Sequence, residues 1–169
     1  MTIAKTERLI ISQFTIEDAP FFKELVNTPH WIKYIGERNI KTIEDAEKAI
    51  TEGHLKSYKT NGFGFYVLRL KEENNKAIGT CGLIKRDTLE HVDIGFAMLP
   101  EYEGKGFGFE SSEAILKLAK DTFQLKTVVA ITLPTNNPSI KLLEKLGLSY
   151  QKMIKPFEDD EELMLFAKT

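Results

Sequence analysis

The chain has 169 residues, 42% of them hydrophobic, enough for one ordinary core and read as a single domain over residues 1–169. Lys and Arg number 23 against 25 Asp and Glu, so the net charge of −2 argues against a nucleic-acid partner held by phosphate neutralisation. No apolar run approaches the roughly 20 residues that cross a bilayer, and MTIAKTER has no signal-peptide core, so a soluble, cytoplasmic protein with no membrane partner is expected.

In chain order, residues 9–14 read as a first strand. Thr15-Ile16-Glu17-Asp18 then gives the hydroxyl-x-x-acid signal of a helix start, and that helix should run to about Asn27, ahead of Pro29. Thr42-Ile43-Glu44-Asp45 repeats the signal and opens a second helix ending near Asn61-Gly62. Residues 63–70, 77–84 and 91–99 are strand-like, and the short polar segments 71–76 and 85–90 between them suit an antiparallel meander. A helix over about 107–123 presents Ile115, Leu118, Ala119 and Phe123 on one face, and the β-branched run 127–132 follows as a strand. A strand, a helix of that length and another strand form a crossover, so strands 91–99 and 127–132 should be parallel. Asn137-Pro138 opens a short helix filled by Ile140, Leu142, Leu143 and Leu146 and stopped by Gly147. Two strands, 149–154 and 163–167, close the chain around an acidic connection.

The chemistry is concentrated between residues 92 and 110. Gly104, Gly106 and Gly108 lie between a strand end and the first turn of a helix, where the backbone must curl tightly and approach a ligand without Cβ obstruction. Free amides and the positive end of the helix dipole make that position an anion site, and Lys105 adds a mobile charge. A phosphate or diphosphate is the natural guest. A Walker loop is excluded because Gly106 and Phe107, not a hydroxyl residue, follow Lys105. The dinucleotide fingerprint fails in both registers, with Phe109 or Ser111 at the third glycine position. One cysteine, Cys81, leaves no disulfide framework or paired-cysteine zinc site, and His30, His54 and His91 lack metal-ligand spacing, so no metal is expected.

Glu103-Gly104-Lys105-Gly106-Phe107-Gly108 resembles the acetyl-CoA-binding segment of the GCN5-related (GNAT) N-acetyltransferases, Gln/Arg-x-x-Gly-x-Gly/Ala, with Glu103 at the departing first position. Asn136-x-x-Ser139-x-x-Leu142-x-x-x-x-Gly147-Leu148 is similar to a second family element, with Leu148 in place of an aromatic. The run from Thr6 to Ala19 is similar to the opening of the RimJ/RimL-like branch, which acetylates ribosomal-protein alanines. These matches span almost the whole chain.

The resemblance implies a mixed α/β fold, a mostly antiparallel central sheet whose parallel pair splays apart, flanked by helices. Acetyl-CoA would be the co-substrate. Backbone groups of Phe96, Ala97 and Met98 would pair with its pantetheine amides, the 103–108 loop, Phe107 included, would hold its diphosphate, and Asn136 would lie beside the pantetheine arm. The acceptor would be a primary amine, on a protein N-terminus or a small molecule, attacking the thioester directly. Asp93 is the candidate base, with His91 as runner-up. The family's frequent tyrosine acid falls at Leu143, which leaves Ser139 to hydrogen-bond the departing sulfur. An α-amine of pKa near 8 is already roughly a tenth neutral at pH 7, so a weak base would serve it, whereas a lysine near 10.4 is almost fully charged.

Three further features have bland and functional readings. Cys81 is read as a buried structural thiol rather than a nucleophile, since no histidine pairs with it in sequence. Residues 30–34, with Trp31, lie where the family lines its acceptor pocket, though core packing explains Trp31 equally well. The acidic run 158–162 is a solvated turn in one reading and an attractor of cationic acceptors in the other. A non-catalytic acyl-CoA-binding sensor and an unrelated nucleotide-phosphate module are the competing functional classes.

Overall fold

Several helical segments begin where a local side chain satisfies orphan amides. In the computed structural model, which describes residues 1–159 and 161–169, the Thr15 amide donates to Asp18 Oδ2 at 2.9 Å, opening a 3₁₀ turn that leads into α1 (Ala19–Val26). The Thr42 hydroxyl accepts from the Asp45 amide at 3.0 Å while Asp45 Oδ2 accepts from the Thr42 amide at 3.1 Å, a full capping box. The helix so opened runs unbroken through α3 (Ile43–Ala49), a π-helical turn (Ile50–Leu55) and α4 (Lys56–Asn61), and stops at Gly62 with φ +82°. Between these, residues 29–34 are not a bare connection: Pro29 at the first helical position starts α2 (Pro29–Tyr34).

The strands are β1 (Thr2–Lys5), β2 (Leu9–Gln13), β3 (Phe65–Leu70), β4 (Lys76–Ile84), β5 (Val92–Met98), β6 (Val128–Thr132), β7 (Ser149–Ile154) and β8 (Leu163–Lys168). They form one sheet in the order β1-β2-β3-β4-β5-β6-β8-β7. β3, β4 and β5 are the expected antiparallel meander, and β5 and β6 are the expected parallel pair, joined across α5 (Phe107–Asp121). β1 escapes sequence reading because its four residues, Thr-Ile-Ala-Lys, carry no alternation to detect. α6 (Asn137–Lys145) is capped one residue earlier than expected, by Asn136.

The sheet separates two helical layers. Cys81, on β4 and opposite Phe96 of β5, touches Ser112 of α5 at 3.6 Å, so this face carries α5. The other face carries Phe65, opposite Gly82 in β4, and above it the ring of His54 packs against Phe14 and Phe22. Leu9, Ile11, Leu68, Leu83, Ile115 and Phe166 belong to the resulting buried core. Among the described residues, no helix is long and apolar enough to cross a membrane.

Candidate active site

The site is a gap in the sheet. β5 and β6 meet only at Val92↔Val128 and Asp93↔Val129, yet β5 continues to Met98 and β6 to Thr132. Beyond Asp93 the strands diverge. The β6-facing backbone edge of residues 95–98 is thus left without a ladder partner, while the other edge stays paired with β4 as far as Gly79↔Met98. An unpaired strand edge inside a sheet accepts an extended ligand carrying amides, as an added strand would.

The glycine loop opens onto the same gap. After a 3₁₀ turn at Pro100–Tyr102, Gly104 adopts φ +71° and Gly106 φ +86°, and Gly106 caps α5 without a side chain. The first amides of α5, from Phe107, Gly108 and Phe109, therefore have no acceptor within the helix. A Cβ on Gly108 would lie 3.0 Å from Leu142 Cδ2 and 3.9 Å from Phe96 Cδ2, so this glycine allows β5, α5 and α6 to converge. The two sequence motifs meet there, through Gly108 of one and Leu142 of the other. Lys105 Nζ lies 5.8 Å from the Tyr102 ring centroid. The carboxylate of Glu103 comes within 3.7 Å of His30 Nδ1 on α2.

On the opposite face, Asp93 is 3% exposed and its Oδ2 accepts from Arg86 Nε at 2.6 Å. Burial pushes its carboxyl up and Arg86 pulls it back, with a net value of about 6. That carboxylate can accept a proton near neutral pH. His91, just before β5, lines a cavity of about 220 Å³ together with Val129, Lys152 and Lys155. Across the gap, Asn136 is buried and its Oδ1 accepts the Ser139 amide at 3.4 Å. Ser139 is half-buried, and its hydroxyl has no hydrogen-bond partner among the described residues. The structure thus brings together the glycine loop, Phe96 and α6, and sets Asp93 at the closed end of the gap.

Sequence reading missed Arg86, the partner of Asp93, which lies in a polar connection with no pattern to mark it. It also missed His54, whose ring stacks on Phe14 at 4.2 Å between centroids; burial holds its imidazole down, near 4. Trp31 is buried edge-on to Phe22, 6.5 Å between centroids. Cys81 is fully buried and its thiol is pushed up to about 11 by that burial, so it is held as an unreactive thiol. Of the acidic run, Asp160 lies outside the described residues; Glu158, Asp159, Glu161 and Glu162 are exposed between β7 and β8. Among the described residues, no group of three or more His, Cys, Asp or Glu side chains is placed to hold a metal ion.

Residues 8–149 match the model of the acetyltransferase (GNAT) domain family. The chain belongs to the GNAT acetyltransferases. As such it is an acyltransferase, from a family that uses acetyl-CoA. This acetyltransferase is 28% identical over 160 residues to an "Uncharacterized N-acetyltransferase p20" of Bacillus licheniformis, covering 90% of this chain and 85% of the relative. Its fold is that of the ribosomal-protein-S5-alanine acetyltransferase of Vibrio fischeri, with a TM-score of 0.83, 21% identity, and coverage of 99% and 96% of the two chains. It also superposes on the microcin C7 self-immunity acetyltransferase MccE, solved with acetyl-CoA and AMP, with a TM-score of 0.81, 15% identity, and coverage of 96% and 92%.

Proposed function

We propose that this GNAT acetyltransferase transfers the acetyl group of acetyl-CoA directly to a primary amine, within a complex holding both substrates. The separation of β5 from β6 beside the Gly106-capped end of α5 carries the reading. It offers the free amides at the start of α5 and an unpaired strand edge to one extended ligand. Amides of residues 104–108 hold the diphosphate, and the backbone of Phe96, Ala97 and Met98 aligns the pantetheine arm beside Asn136.

Asp93 accepts the proton released as the amine attacks. Its carboxyl, held near 6, is mostly ionised at pH 7 and afterwards gives the proton up to solvent. Ser139 Oγ hydrogen-bonds the departing sulfur, a role left open by a hydroxyl with no partner among the described residues. The acceptor is an α-amine, on a protein N-terminus of the RimJ/RimL type or on a small molecule. The resemblance of residues 6–19 and the likeness to the Vibrio fischeri S5-alanine enzyme support that choice.

A thermal-shift titration with acetyl-CoA, CoA, ATP and NAD tests the first half. A ligand at 100 times its Kd adds about 2.7 kcal/mol, several degrees in Tm. A rise confined to acetyl-CoA and CoA is expected, followed by thiol release on adding α-amine peptides. Binding without turnover of any amine would leave a sensor in place of a catalyst.

A further inference from the structure

We propose that Arg8 is a positioning residue that orients the glycine loop for the diphosphate of acetyl-CoA. The inference rests on the cofactor reading given above and assigns a role to a residue outside both motifs.

Three donors from the β1–β2 turn converge on one carboxylate in the first turn of α5. The Thr6 hydroxyl and the Arg8 amide donate to Glu110 Oε2, the latter at 2.9 Å, and Arg8 Nε donates to Glu110 Oε1 at 2.7 Å. Burial works against the charged form of Glu110, but these hydrogen bonds outweigh it and hold the carboxyl below its ordinary range. A carboxylate at this helix end would otherwise compete with an arriving phosphate for the same amides. Arg8 neutralises it from the side.

The same guanidinium reaches the loop itself. Arg8 Nη1 donates to the Lys105 carbonyl at 3.0 Å, and its Cζ stands 4.1 Å from the centroid of the Phe107 ring. The Lys105–Gly106 peptide is planar and trans, so a carbonyl fixed toward Arg8 sends the Gly106 N–H in the opposite direction. Gly106 is also the residue whose Cβ would come within 3.2 Å of Arg8 Nη2. Glycine at 106 and arginine at 8 are therefore matched: one leaves the space that the other fills, and the contact sets which way the loop amide points.

A structural brace would make the same contacts, so the test separates binding of the diphosphate from stability. Kd is measured for CoA by calorimetry, and for pantetheine, which lacks the diphosphate, by amide chemical-shift titration. In Arg8→Ala the CoA affinity is expected to fall about tenfold, the scale of one charge-assisted hydrogen bond, with pantetheine changed less than twofold. Arg8→Lys keeps the charge but not the fork, and is expected to lose about threefold for CoA alone. It also serves if the alanine variant does not fold. Adding Glu110→Gln to Arg8→Ala should recover part of the loss by removing the stranded carboxylate. Equal losses for both ligands, or unchanged CoA affinity in a folded variant, would overturn the proposal. Wild-type protein that binds no CoA would overturn the cofactor reading and this role with it.

Discussion

Asp93 and Arg86 form an ion pair of 2.6 Å in which the carboxylate is buried and the guanidinium is partly open to solvent. On the proposed role of Asp93 as the base, the asymmetry sets where it can take up a proton. Arg86 keeps Asp93 oriented, while burial leaves the carboxyl titrating at about 6 rather than well below 4. At saturating acceptor, kcat should therefore rise with pH through about 6 and level above it. Asp93→Asn should lose that limb and on the order of 10²-fold in kcat, the lower end of the range for a general base. A pH profile of kcat for both forms checks this. An unchanged limb in the asparagine variant would move the base elsewhere, with His91 the next position to substitute.

The same burial has an opposite counterpart in His54. Asp93 titrates higher folded, about 6, than unfolded, near 3.9, so its contribution to stability is lost as pH rises through that interval. His54 titrates lower folded, about 4, than unfolded, near 6.5, so its contribution is full above 6.5 and lost as pH falls. Between pH 4 and 6 the two slopes oppose each other. Urea midpoints taken across this window should climb more steeply with pH in Asp93→Asn than in the wild type. In His54→Gln they should climb less, or fall. Parallel profiles for all three proteins would contradict both assignments.

How far the sequence went depends on how local each signal is. Capping boxes at Thr15 and Thr42, the glycine stops at 62 and 147 and the crossover through α5 are all written within a few adjacent residues, and the fold they imply is the one observed. The glycine loop was legible for the same reason. Contacts between distant segments were not. Arg8 and Glu110 are 102 positions apart, and nothing near either one names the other. Arg86 sits seven residues before Asp93 in a turn, where an arginine is ordinarily solvated. His54 reads as one more polar residue on a helix until the π-helical turn sets it against Phe14 and Phe22.

The two left-handed glycines of the loop should differ in their tolerance of a methyl group. Gly104, at φ +71°, has nothing within 4 Å of an added Cβ, so Gly104→Ala should cost only backbone strain, about 1 kcal/mol. Gly106, at φ +86°, adds a 3.2 Å approach to Arg8 on top of the same strain. Gly106→Ala should therefore lower Tm further and weaken CoA by about tenfold or more, against a smaller change at 104. Calorimetric Kd values for the two variants, with melting curves beside them, make the comparison. Equal effects at the two positions would show that strain alone matters and that the Arg8 contact does not.

Asn136 and Ser139 share one helix start but should fail in different ways. Asn136 caps α6 through its side-chain oxygen, so Asn136→Ala should cost about 1 kcal/mol of stability along with affinity for acetyl-CoA. Asn136→Ser restores a capping oxygen on a shorter arm; it should recover the stability and leave the affinity low if, as proposed, the asparagine carboxamide meets the pantetheine arm. Ser139 contributes its backbone amide to the cap, and its hydroxyl has no hydrogen-bond partner among the described residues. Ser139→Ala should accordingly leave Tm and the Kd of acetyl-CoA unchanged while lowering kcat roughly 10- to 100-fold, since a group that stabilises only the departing sulfur acts in the transition state and not in the ground state. Steady-state kinetics with a thiol-release readout separates the two parameters, and the buried Cys81 thiol adds little background to it in the folded protein. A Ser139→Ala variant with raised KM and intact kcat would assign the hydroxyl to cofactor binding and leave the sulfur to be protonated by solvent.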